Sequence, residues 1–550
     1  MSCQVDHGGG HVTADLGTLS GAGYAPADEV LLLGHSDGDR ASDLERACQA
    51  LGGECALARA FASSREQFDV IVGWLESMET DGLEHSELED RLQSDGRELL
   101  RRLLEDKLEL RAFREARLDQ VMDSAGVARR AVEANHERPL TSVFGEVRVR
   151  RLAYRRRGEE NLYVADGQLN LPEENHSHGV RRLAAVESSK GSFEDSTEQV
   201  REVTGAPVGK RQVEQLAVRA AVDFEAFYAI QARAEREPEQ DDVLVISADG
   251  KGIVMRADGL RAPTAKAAES AKPKLKTRLS RGEKRNRKRI AEVGAVYDIK
   301  PAPRTPQDVL ACTEQKVMPA PKAKRKWLTA SVLEDAKAVV AEVFDEAERR
   351  DPAHQRTWVA LVDGNNHQID RIEKEAKARE VKVTILIDLV HVLEYLWGAA
   401  WCYFNEGDPD AETWVHEKAL AVLEGKASIV AAAIRRKATR LGLDHEKRAN
   451  ADRAADYLLN KAPYLDYPTA LTEGWPIATG VIEGACRHLV KDRMDIAGAR
   501  WGLEGAEAIL KLRALRCNGD FDSYWRYHLT QERRRIHECR YAAGVIPSPA

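Results

Sequence analysis

The sequence lacks long apolar runs: none approaches the roughly 18 to 20 consecutive apolar residues that cross a bilayer. The first residues, MSCQVDHGGGHV, lack a charged segment followed by an apolar core, so we expect no secretory signal and no membrane partner. The eight cysteines include no CxxC pair, which argues against a zinc ribbon and a disulfide framework. These absences favour a cytoplasmic protein.

The sequence has no overall excess of basic residues. It contains 82 Lys and Arg and 90 Asp and Glu, which gives a net charge of −8. That average argues against a nucleic-acid binder, but it hides a basic block at residues 266–289, with eleven basic and two acidic residues. A phosphate backbone is the commonest partner of such a block, and a solvated loop is the alternative. The candidate DNA-binding residues in it are Lys284, Arg285, Arg287, Lys288 and Arg289.

The N-terminal part divides into two regions. Residues 1–60 are Gly-rich at the start and weakly periodic, so we assign no element to this extension. Residues 61–235 are mainly helical, with a charge-laced helical run over 85–124. Within them, residues 141–157 alternate apolar and basic side chains, which predicts a half-exposed strand with one cationic face.

Residues 180–220 read as two or three short helices with a Gly-Pro turn before the last. This spacing is that of a helix-turn-helix, with Lys210, Arg211 and Gln212 on the exposed side of the last helix, where they would meet DNA. An ordinary helical hairpin gives the same pattern.

The segment 240–400, which contains a basic insert at 262–290, alternates strands and helices. DDVLVISADGKGIVMR predicts a strand, a tight turn and a second strand, and AEVGAVYDI predicts a third. A helix opened by Ser331 and Glu334, two buried strands and two further helices complete a β-β-β-α-β-α-β-α order. We therefore expect an α/β fold with a mixed sheet and helices on both faces, a ribonuclease H-like core.

Carboxylates follow the buried strands of this core. Asp249 closes the first predicted strand in SADG, and Asp363 closes another in LVDGN. Clustered carboxylates repel each other and are commonly neutralised by divalent cations, which predicts Mg²⁺. Two ions ~3.5 to 4 Å apart would support an in-line phosphoryl displacement. A turn or cap residue is the alternative reading of each aspartate.

Several extended segments resemble the DDE transposases of bacterial insertion sequences, specifically the ISKra-four group with its Mutator-like relatives. They include VISADGKGIVMR, ALVDGNNHQI, TILIDLVHVLEYLWGAAWC and GWPIATGVIEGACRHLVKDRMDIAGARWG. The resemblance runs from about residue 60 to 545. It implies a catalytic triad of Asp249, Asp363 and Glu483, which would also hold two Mg²⁺ ions, with Mn²⁺ as a substitute.

The resemblance implies supporting residues as well. Asp388 and His391 match the D-x-x-H element of Mutator-like relatives, and Asp388 as a metal ligand in place of Asp363 stays open. Arg487 and His488 follow Glu483 and are expected to grip phosphates; surface ion pairs are the alternative reading.

The remaining regions follow from the same comparison. Residues 401–475 read as helix throughout and are expected to form a helical insertion. Residues 476–550 would then supply the helix with Glu483 and a basic C-terminal helix.

The expected function is therefore that of an insertion-sequence transposase. It would bind double-stranded DNA at terminal inverted repeats, cleave it and join the ends to target DNA, as a homodimer or higher oligomer associated with the bacterial nucleoid. The alternatives are a ribonuclease H-fold nuclease or resolvase and a catalytically decayed DNA-binding protein.

Overall fold

The computed structural model describes most of the chain beyond residue 59. The described residues are 60–230, 242–270, 275, 277–278, 280, 286–311, 318–496 and 498–548. The predicted extension over residues 1–60 lies almost wholly outside them, as do the predicted DNA-binding residues Lys284 and Arg285.

The described part begins with two packed helices, α1 (Ala62–Leu75) and α2 (His85–Phe113). The carboxylate of Glu87 accepts a hydrogen bond from the Glu84 N–H (2.9 Å), which caps the start of α2. This helix ends about ten residues before the predicted end of the helical run. The chain leaves the helix there, and the Glu115 carboxylate accepts a hydrogen bond from the Leu152 N–H (2.9 Å).

Four strands follow: β1 (Val121–Met122), β2 (Ala128–Arg129), β3 (Ala131–Ser142) and β4 (Gly145–Arg155). They pair as two antiparallel hairpins, β1 with β2 and β3 with β4.

The predicted alternation over 141–157 holds along most of β4. Val147 and Val149 are buried, whereas Arg148 and Arg150 are exposed. The expected cationic face is offset by acid, because Glu137 on β3 lies within 4 Å of both exposed arginines. The alternation also breaks at Arg151, which is buried.

Between this hairpin and the central sheet, the described residues form five helices: α3 (Val164–Leu169), α4 (His178–Lys190), α5 (Phe193–Thr204), α6 (Lys210–Ala220) and α7 (Phe224–Ile230). Helices α4, α5 and α6 are the short helices expected over 180–220, and their inward apolar side chains form a small core of their own. Between α5 and α6 the chain turns at Gly205, whose φ of +70° is one that favours glycine.

In the described part of the chain, the central sheet has five strands: β5 (Val243–Val254), β6 (Lys288–Ile299), β7 (Ala323–Ser331), β8 (Trp358–Val362) and β9 (Val383–Ile387). Their order across the sheet is β7-β6-β5-β8-β9. The first three strands in sequence are antiparallel neighbours, and β8 and β9 run parallel to β5. Every residue of β8 is buried, as expected for a strand covered on both faces.

The helices around the sheet are α8 (Ala262–Glu269), α9 (Pro306–Leu310), α10 (Ala336–Arg350), α11 (Asn366–Ala378) and α12 (Leu389–Ala400). Apart from the short α8 and α9, the order from β5 to α12 is β-β-β-α-β-α-β-α. It has the predicted form, but its three antiparallel strands are not the predicted ones, because the first two predicted strands are one strand, β5, and β7 was not predicted. Helix α10 packs on β5, β6 and β7, and α11 packs on β8 and β9.

The strand-turn-strand prediction at DDVLVISADGKGIVMR is wrong. Residues 243–254 form one continuous strand that pairs with β6 along its whole length. The glycines mark close packing instead of a turn: a Cβ at Gly250 would lie 2.8 Å from Ile290 Cγ2, and one at Gly252 would lie 2.9 Å from Lys288 Cδ. Asp249 is therefore inside a strand.

Two further boundaries differ from the prediction. The third strand of the antiparallel group is β7, whose first half is exposed and rich in lysine and arginine because it lies at the sheet edge. Helix α10 is capped by Asp335, which accepts a hydrogen bond from the Ala338 N–H (3.0 Å). Ser331 instead ends β7 and accepts a hydrogen bond from the Glu334 N–H (2.9 Å).

Residues 401–475 are helical, as predicted, and lie between α12 and the segment with Glu483. Their helices are α13 (Pro409–Leu423), α14 (Ala427–Arg440), α15 (His445–Asn460) and α16 (Tyr467–Thr472). Helix α15 packs on α12, which joins the insertion to the sheet.

The last part of the chain contains α17 (Gly480–Ala485), α18 (Asp492–Met494), α19 (Leu503–Asn518) and α20 (Phe521–Glu532). A π-helical segment, Cys486–Lys491, joins α17 to α18, and a second, Arg533–His537, follows α20. Within the described ranges, no helix is both long and apolar enough to cross a bilayer.

Candidate functional site

Three aspartates lie on neighbouring strands of the sheet: Asp249 inside β5, Asp363 directly after β8 and Asp388 directly after β9. The parallel register pairs Ser247 with Leu361, two residues before Asp249 and Asp363 respectively. Asp388 directly follows the last residue of β9, which pairs with the last residue of β8. Since neighbouring strands lie ~4.8 Å apart, continuing this register brings the three aspartates side by side.

Glu483 reaches the same edge from α17, which packs on β5 and β6. The chain just before α17 is tied to the turn after β9. The Thr479 hydroxyl donates a hydrogen bond to Asp388 Oδ2, and the Leu389 N–H donates one to the Ile477 carbonyl (2.9 Å). Thr479 precedes a helix, where threonine commonly caps, yet its hydroxyl is directed to the aspartate instead.

The side chains of Asp388, His391 and Glu483 lie close together. One ligand atom from each lies within 4.8 Å of the others. Asp388 is fully buried, and His391 Nδ1 lies 4.0 Å from its Oδ2 without a hydrogen-bond partner among the described residues. The D-x-x-H spacing places the aspartate at the start of α12 and the histidine one turn along it.

Asp388 has a structural role in addition. Its Oδ1 accepts the Val390 N–H (2.8 Å) and so caps α12, while its Oδ2 accepts the Thr479 hydroxyl. These bonds fix the carboxylate in place, with Oδ2 on the side of His391.

Asp249 is linked to Glu483 through Cys486. The Cys486 thiol donates a hydrogen bond to Asp249 Oδ2 (3.2 Å), and Cys486 lies three residues after Glu483, on the same side of the helix. Burial, followed by the charge of Asp249, raises the pKa of the Cys486 thiol well above its usual range. The thiol therefore stays protonated and acts as a donor to the carboxylate. The helix turns π-helical at Cys486, a distortion that often marks functional sites.

A fourth acid, Glu292, lies beside Asp249 on the neighbouring strand β6, where it pairs with Gly250. Burial raises the pKa of Glu292, and the charge of Asp249 acts in the same direction against the opposing charge of Arg261. Negative charge is therefore concentrated at this edge of the sheet.

Asp363 lies in the turn between β8 and α11 and is only half-buried. Its Oδ1 accepts the Asn365 N–H (2.8 Å), and its backbone carbonyl accepts the Tyr457 hydroxyl from α15 (3.2 Å). Asp363 and His391 line one cavity of about 610 Å³, together with residues of α12 and α15. The insertion therefore forms one wall of the space beside the carboxylates.

A buried lysine of the insertion also lies near this turn. Lys461 donates a hydrogen bond to Asn366 Oδ1 at the start of α11. Burial lowers the pKa of Lys461, whereas the charges of Asp363 and Asp370 oppose that shift.

The donor set suits a divalent cation. Carboxylate oxygens are the usual ligands of Mg²⁺ and Mn²⁺, and imidazole widens the range of metals bound. The unpartnered His391 Nδ1 beside two carboxylates is a free donor of the kind that a cation would use.

The structure therefore places the predicted residues in two groups. Asp388, His391 and Glu483 are gathered most closely, with Asp249 joined to them through Cys486. Asp363 lies at the adjoining cavity.

Arg487 and His488 lie on the exposed side of the helix after Glu483. The Arg487 Nε lies 3.6 Å from an Asp492 oxygen, and His488 Nδ1 lies 3.1 Å from the other. Both side chains are more than 60% exposed, at 72% and 64%. This is the surface ion-pair arrangement that the sequence left as the alternative.

The exposed face of α6 carries the residues that the helix-turn-helix prediction places there. Lys210, Arg211 and Gln212 are all exposed. The Lys210 amine lies 3.1 Å from Glu194 Oε2, and Gln212 Oε1 accepts the Gly209 N–H (2.9 Å), so both also support the local fold.

The described residues of the basic block have mixed roles. Arg289 donates hydrogen bonds to the carbonyls of Val332 (2.7 Å) and Gly259 (3.2 Å), and its burial lowers its pKa. The Lys288 amine lies 3.8 Å from Asp495, and Arg287 is half-buried just before β6. Arg289 thus fixes a turn of the protein, in addition to any contact with a ligand.

Sequence reasoning missed Cys486, Thr479, Glu292, Tyr457 and Lys461. The first lies one helical turn after Glu483, so helical spacing would have found it. Thr479 lies four residues before Glu483, but no local pattern shows that its hydroxyl bonds to Asp388. Glu292, Tyr457 and Lys461 approach the site from distant parts of the chain, which no local pattern signals.

Residues 78–267 match the sequence model of an uncharacterised protein family, UPF0236, which is commonly found in insertion-sequence elements. The matched region is roughly a third of the 550-residue chain. It covers the helix-turn-helix-like helices and Asp249, and it ends before the other carboxylates of the site. No curated protein matches the chain.

Proposed function

We propose that the protein is a DDE transposase of an insertion sequence, which cleaves DNA at transposon ends and joins the ends to target DNA. The observation that carries the proposal is the position of Glu483. It follows Asp388 by 95 residues, across a helical insertion, and yet one of its oxygens lies within 4.8 Å of ligand atoms of Asp388 and His391. Cys486, three residues further on, donates a hydrogen bond to Asp249.

The sheet supports a ribonuclease H-like core for this enzyme. Three antiparallel strands and two parallel ones, in the order β7-β6-β5-β8-β9, give the mixed sheet expected from the sequence. Asp363 and Asp388 lie where the parallel strands β8 and β9 end, the edge at which open α/β sheets bind ligands. The family match to proteins of insertion-sequence elements supports the same function.

In the proposed reaction the carboxylates and His391 hold divalent cations, expected to be two Mg²⁺ ions. Bound there, the ions would activate the attacking water or 3′-hydroxyl and stabilise the leaving oxygen. The surrounding residues of the protein hold the proposed metal ligands in position. Thr479 and the Val390 N–H fix Asp388, Cys486 donates to Asp249, and Tyr457 holds the turn with Asp363.

DNA would be held by the N-terminal helical region and the basic block. The exposed cations of α6 suit phosphate contacts, which position a protein on DNA. Since two transposon ends must be joined, we propose a homodimer or larger oligomer as the active form.

The test is a magnesium-dependent cleavage and joining assay on DNA with the element's own ends. Wild type would be compared with Asp249→Ala, Asp363→Ala, Asp388→Asn and Glu483→Gln, and with Asp370→Ala as an exposed acidic control on α11. Gel shifts and circular dichroism would verify DNA binding and folding of each variant.

We expect the site variants to lose cleavage and retain DNA binding, and the control to behave as wild type. Loss in Asp388→Asn with activity in Asp363→Ala would make Asp388 the second metal ligand. Cleavage without joining would favour a nuclease or resolvase. DNA binding without cleavage by wild type would indicate a decayed enzyme.

A further inference from the structure

A second polar cavity lies between the β3–β4 hairpin and the C-terminal segment. It has a volume of about 160 Å³, and its wall includes Arg138, Arg151, Asp166 and Arg540. No residue of the carboxylate cluster lines it. Drug-sized ligands usually occupy pockets of ~300 Å³ or more, so this space suits a single small group.

The wall of this cavity carries an excess of positive charge. Three guanidinium groups face one buried carboxylate, that of Asp166, and the exposed Glu173 adds a solvated one. Burial lowers the pKa of His537, also in the wall, despite its hydrogen bond to the Leu171 carbonyl, so its imidazole is neutral at pH 7. Buried positive charge without a full counter-charge is unfavourable.

The guanidinium of Arg151 is held in place but is not fully bonded. Arg151 is only 8% exposed, and its guanidinium carbon lies 4.1 Å from the centre of the Tyr163 ring. Its Nε lies 3.1 Å from Asp166 Oδ1, outside hydrogen-bonding geometry. Neither Nε nor Nη1 has a hydrogen-bond partner among the described residues.

The other two arginines of the cavity wall, Arg138 and Arg540, differ in their hydrogen bonds. Arg138 Nη2 donates to the carbonyls of Pro172 (3.0 Å) and Glu174 (2.6 Å), so Arg138 also has a structural role. Within the part of the chain that the structure describes, no hydrogen bond or ion pair is formed by the Arg540 guanidinium.

We propose that this cavity binds one phosphate group, received by Arg151 and Arg540. Planar guanidinium groups match the oxygens of phosphate and bind it through paired, charge-assisted hydrogen bonds. The group is either inorganic phosphate or a terminal phosphate of DNA, which present the same oxygens. The proposal does not depend on metal-dependent cleavage.

The test uses the full chain and three proteins: wild type, Arg540→Gln and Arg534→Gln. Arg151 is buried and its replacement endangers folding, whereas Arg540 is half-buried and its guanidinium forms no hydrogen bond with another described residue. Arg534 is an exposed arginine of the same segment and serves as the matched control. Equilibrium dialysis with radiolabelled inorganic phosphate at constant ionic strength measures the binding of inorganic phosphate. Gel shifts with 5′-phosphorylated and dephosphorylated DNA of one sequence measure the binding of a terminal DNA phosphate.

We expect wild type and Arg534→Gln to bind one phosphate per chain, and Arg540→Gln to bind it about tenfold more weakly, the loss of one charge-assisted hydrogen bond. If only the DNA arm responds, with a preference for the phosphorylated end that Arg540→Gln abolishes, the ligand is a DNA terminus. Equal behaviour of all three proteins in both arms would overturn the proposal and leave a hydrated cluster of structural ion pairs.

Discussion

Gly364, the residue after Asp363, is required by the local geometry. Its φ is +91°, and a Cβ there would lie 2.6 Å from the Tyr457 hydroxyl oxygen. Both the backbone conformation and the contact exclude a larger residue without rearrangement. The glycine of LVDGN thus allows α15 to approach the turn that carries a candidate metal ligand.

Gly364→Ala should therefore lower the free energy of unfolding by about 1 to 3 kcal/mol, the range for a residue forced into a strained conformation. Chemical denaturation followed by circular dichroism measures the change. Gly398→Ala is the matched control in the wall of the same cavity. It lies in α12, with nothing within 4 Å of the added Cβ, and should be neutral or slightly stabilising. Equal destabilisation by the two alanines would contradict this account.

The sequence predicts the metal-binding candidates of the site but not the side chains that surround them. Asp249, Asp388 and Glu483 could be predicted because each belongs to a recognisable motif. The bonds that hold them, from Cys486 and Thr479, could not all be predicted, since they join segments up to 237 residues apart. Gly250 illustrates the difficulty, because a glycine in close cross-strand packing has the same local pattern as one in a turn.

At the scale of elements, the insertion helix α15 supports the turn with Asp363 by contacts to the backbone and to Asn366. The Tyr457 hydroxyl donates to the Asp363 carbonyl, and Lys461, just beyond the helix, donates to the Asn366 side chain. The insertion is therefore part of the site's framework.

Tyr457→Phe should reduce metal-dependent cleavage about tenfold, the lower range for loss of a residue that orients a metal ligand, while DNA binding is unchanged. The rate is measured in the assay described above, at several Mg²⁺ concentrations. Tyr464→Phe is the control, since its hydroxyl bonds to the side chain of Glu373 on α11 and does not reach the turn. A normal rate at all Mg²⁺ concentrations would show that this hydrogen bond does not position Asp363.

Helix α6 allows the proposed DNA recognition to be separated from the stability of the helix. Arg211 and Gln215 are exposed, whereas Gln212 also caps the helix through the Gly209 N–H. Arg211→Ala should weaken DNA binding by a uniform factor across sequences if the residue meets phosphates, and Gln215→Ala should change sequence preference if it meets a base. Competition gel shifts with several DNA sequences measure both effects.

Gln212→Ala serves as a comparison, because it should lower stability by about 1 kcal/mol through loss of the cap as well as any effect on DNA. Unchanged DNA binding by both Arg211→Ala and Gln215→Ala would leave α6 as a helix of an ordinary hairpin.

The order of elements was predictable because the core strands are apolar and the helices amphipathic. The predictions of individual elements are wrong where two different environments select the same kinds of residue. The edge strand β7 was missed because half of it is exposed and charged, as edge strands often are. The end of α2 was missed because a solvated helix and a solvated connection both consist of charged residues.

At the scale of the whole molecule, a buried ionic network joins the N-terminal helices to the C-terminal helix. Arg181 is fully buried and bonds to Glu174 (2.5 Å) and to Glu532 (2.5 Å). His528 Nδ1 lies 2.7 Å from Asp223. Removal of one member would leave a buried charge without its partner.

His178 makes this region sensitive to pH. Burial, followed by the charge of Arg181, lowers the pKa of His178 to about 4. The unfolded chain has a histidine pKa of about 6.5, so it binds a proton that the folded chain does not bind between these values. Stability should therefore fall by about 2 kcal/mol from pH 7 to pH 5.

Urea denaturation at the two pH values measures this fall. His178→Gln should show a smaller fall, and His85→Gln, which alters a histidine 85% exposed, should keep the wild-type difference. A wild-type pH dependence in His178→Gln would contradict the assignment. Against the opposing effect of burial, Arg181 lowers the pKa of the Glu174 carboxyl, and His528 and Arg535 lower that of Asp223, so these two groups lose their contribution to stability only in more acidic solution.

The hydrogen bond from Thr479 to Asp388 can form only late in the synthesis of the chain. A ribosome completes every strand of the sheet before it reaches residue 477, so a nascent chain at that stage has its aspartates but neither Glu483 nor the hydroxyl that bonds to Asp388. A truncated product therefore cannot assemble the cluster, whatever the state of its N-terminal helices. Any chemistry that needs Glu483 can begin only after α17 has been made and has packed on β5 and β6.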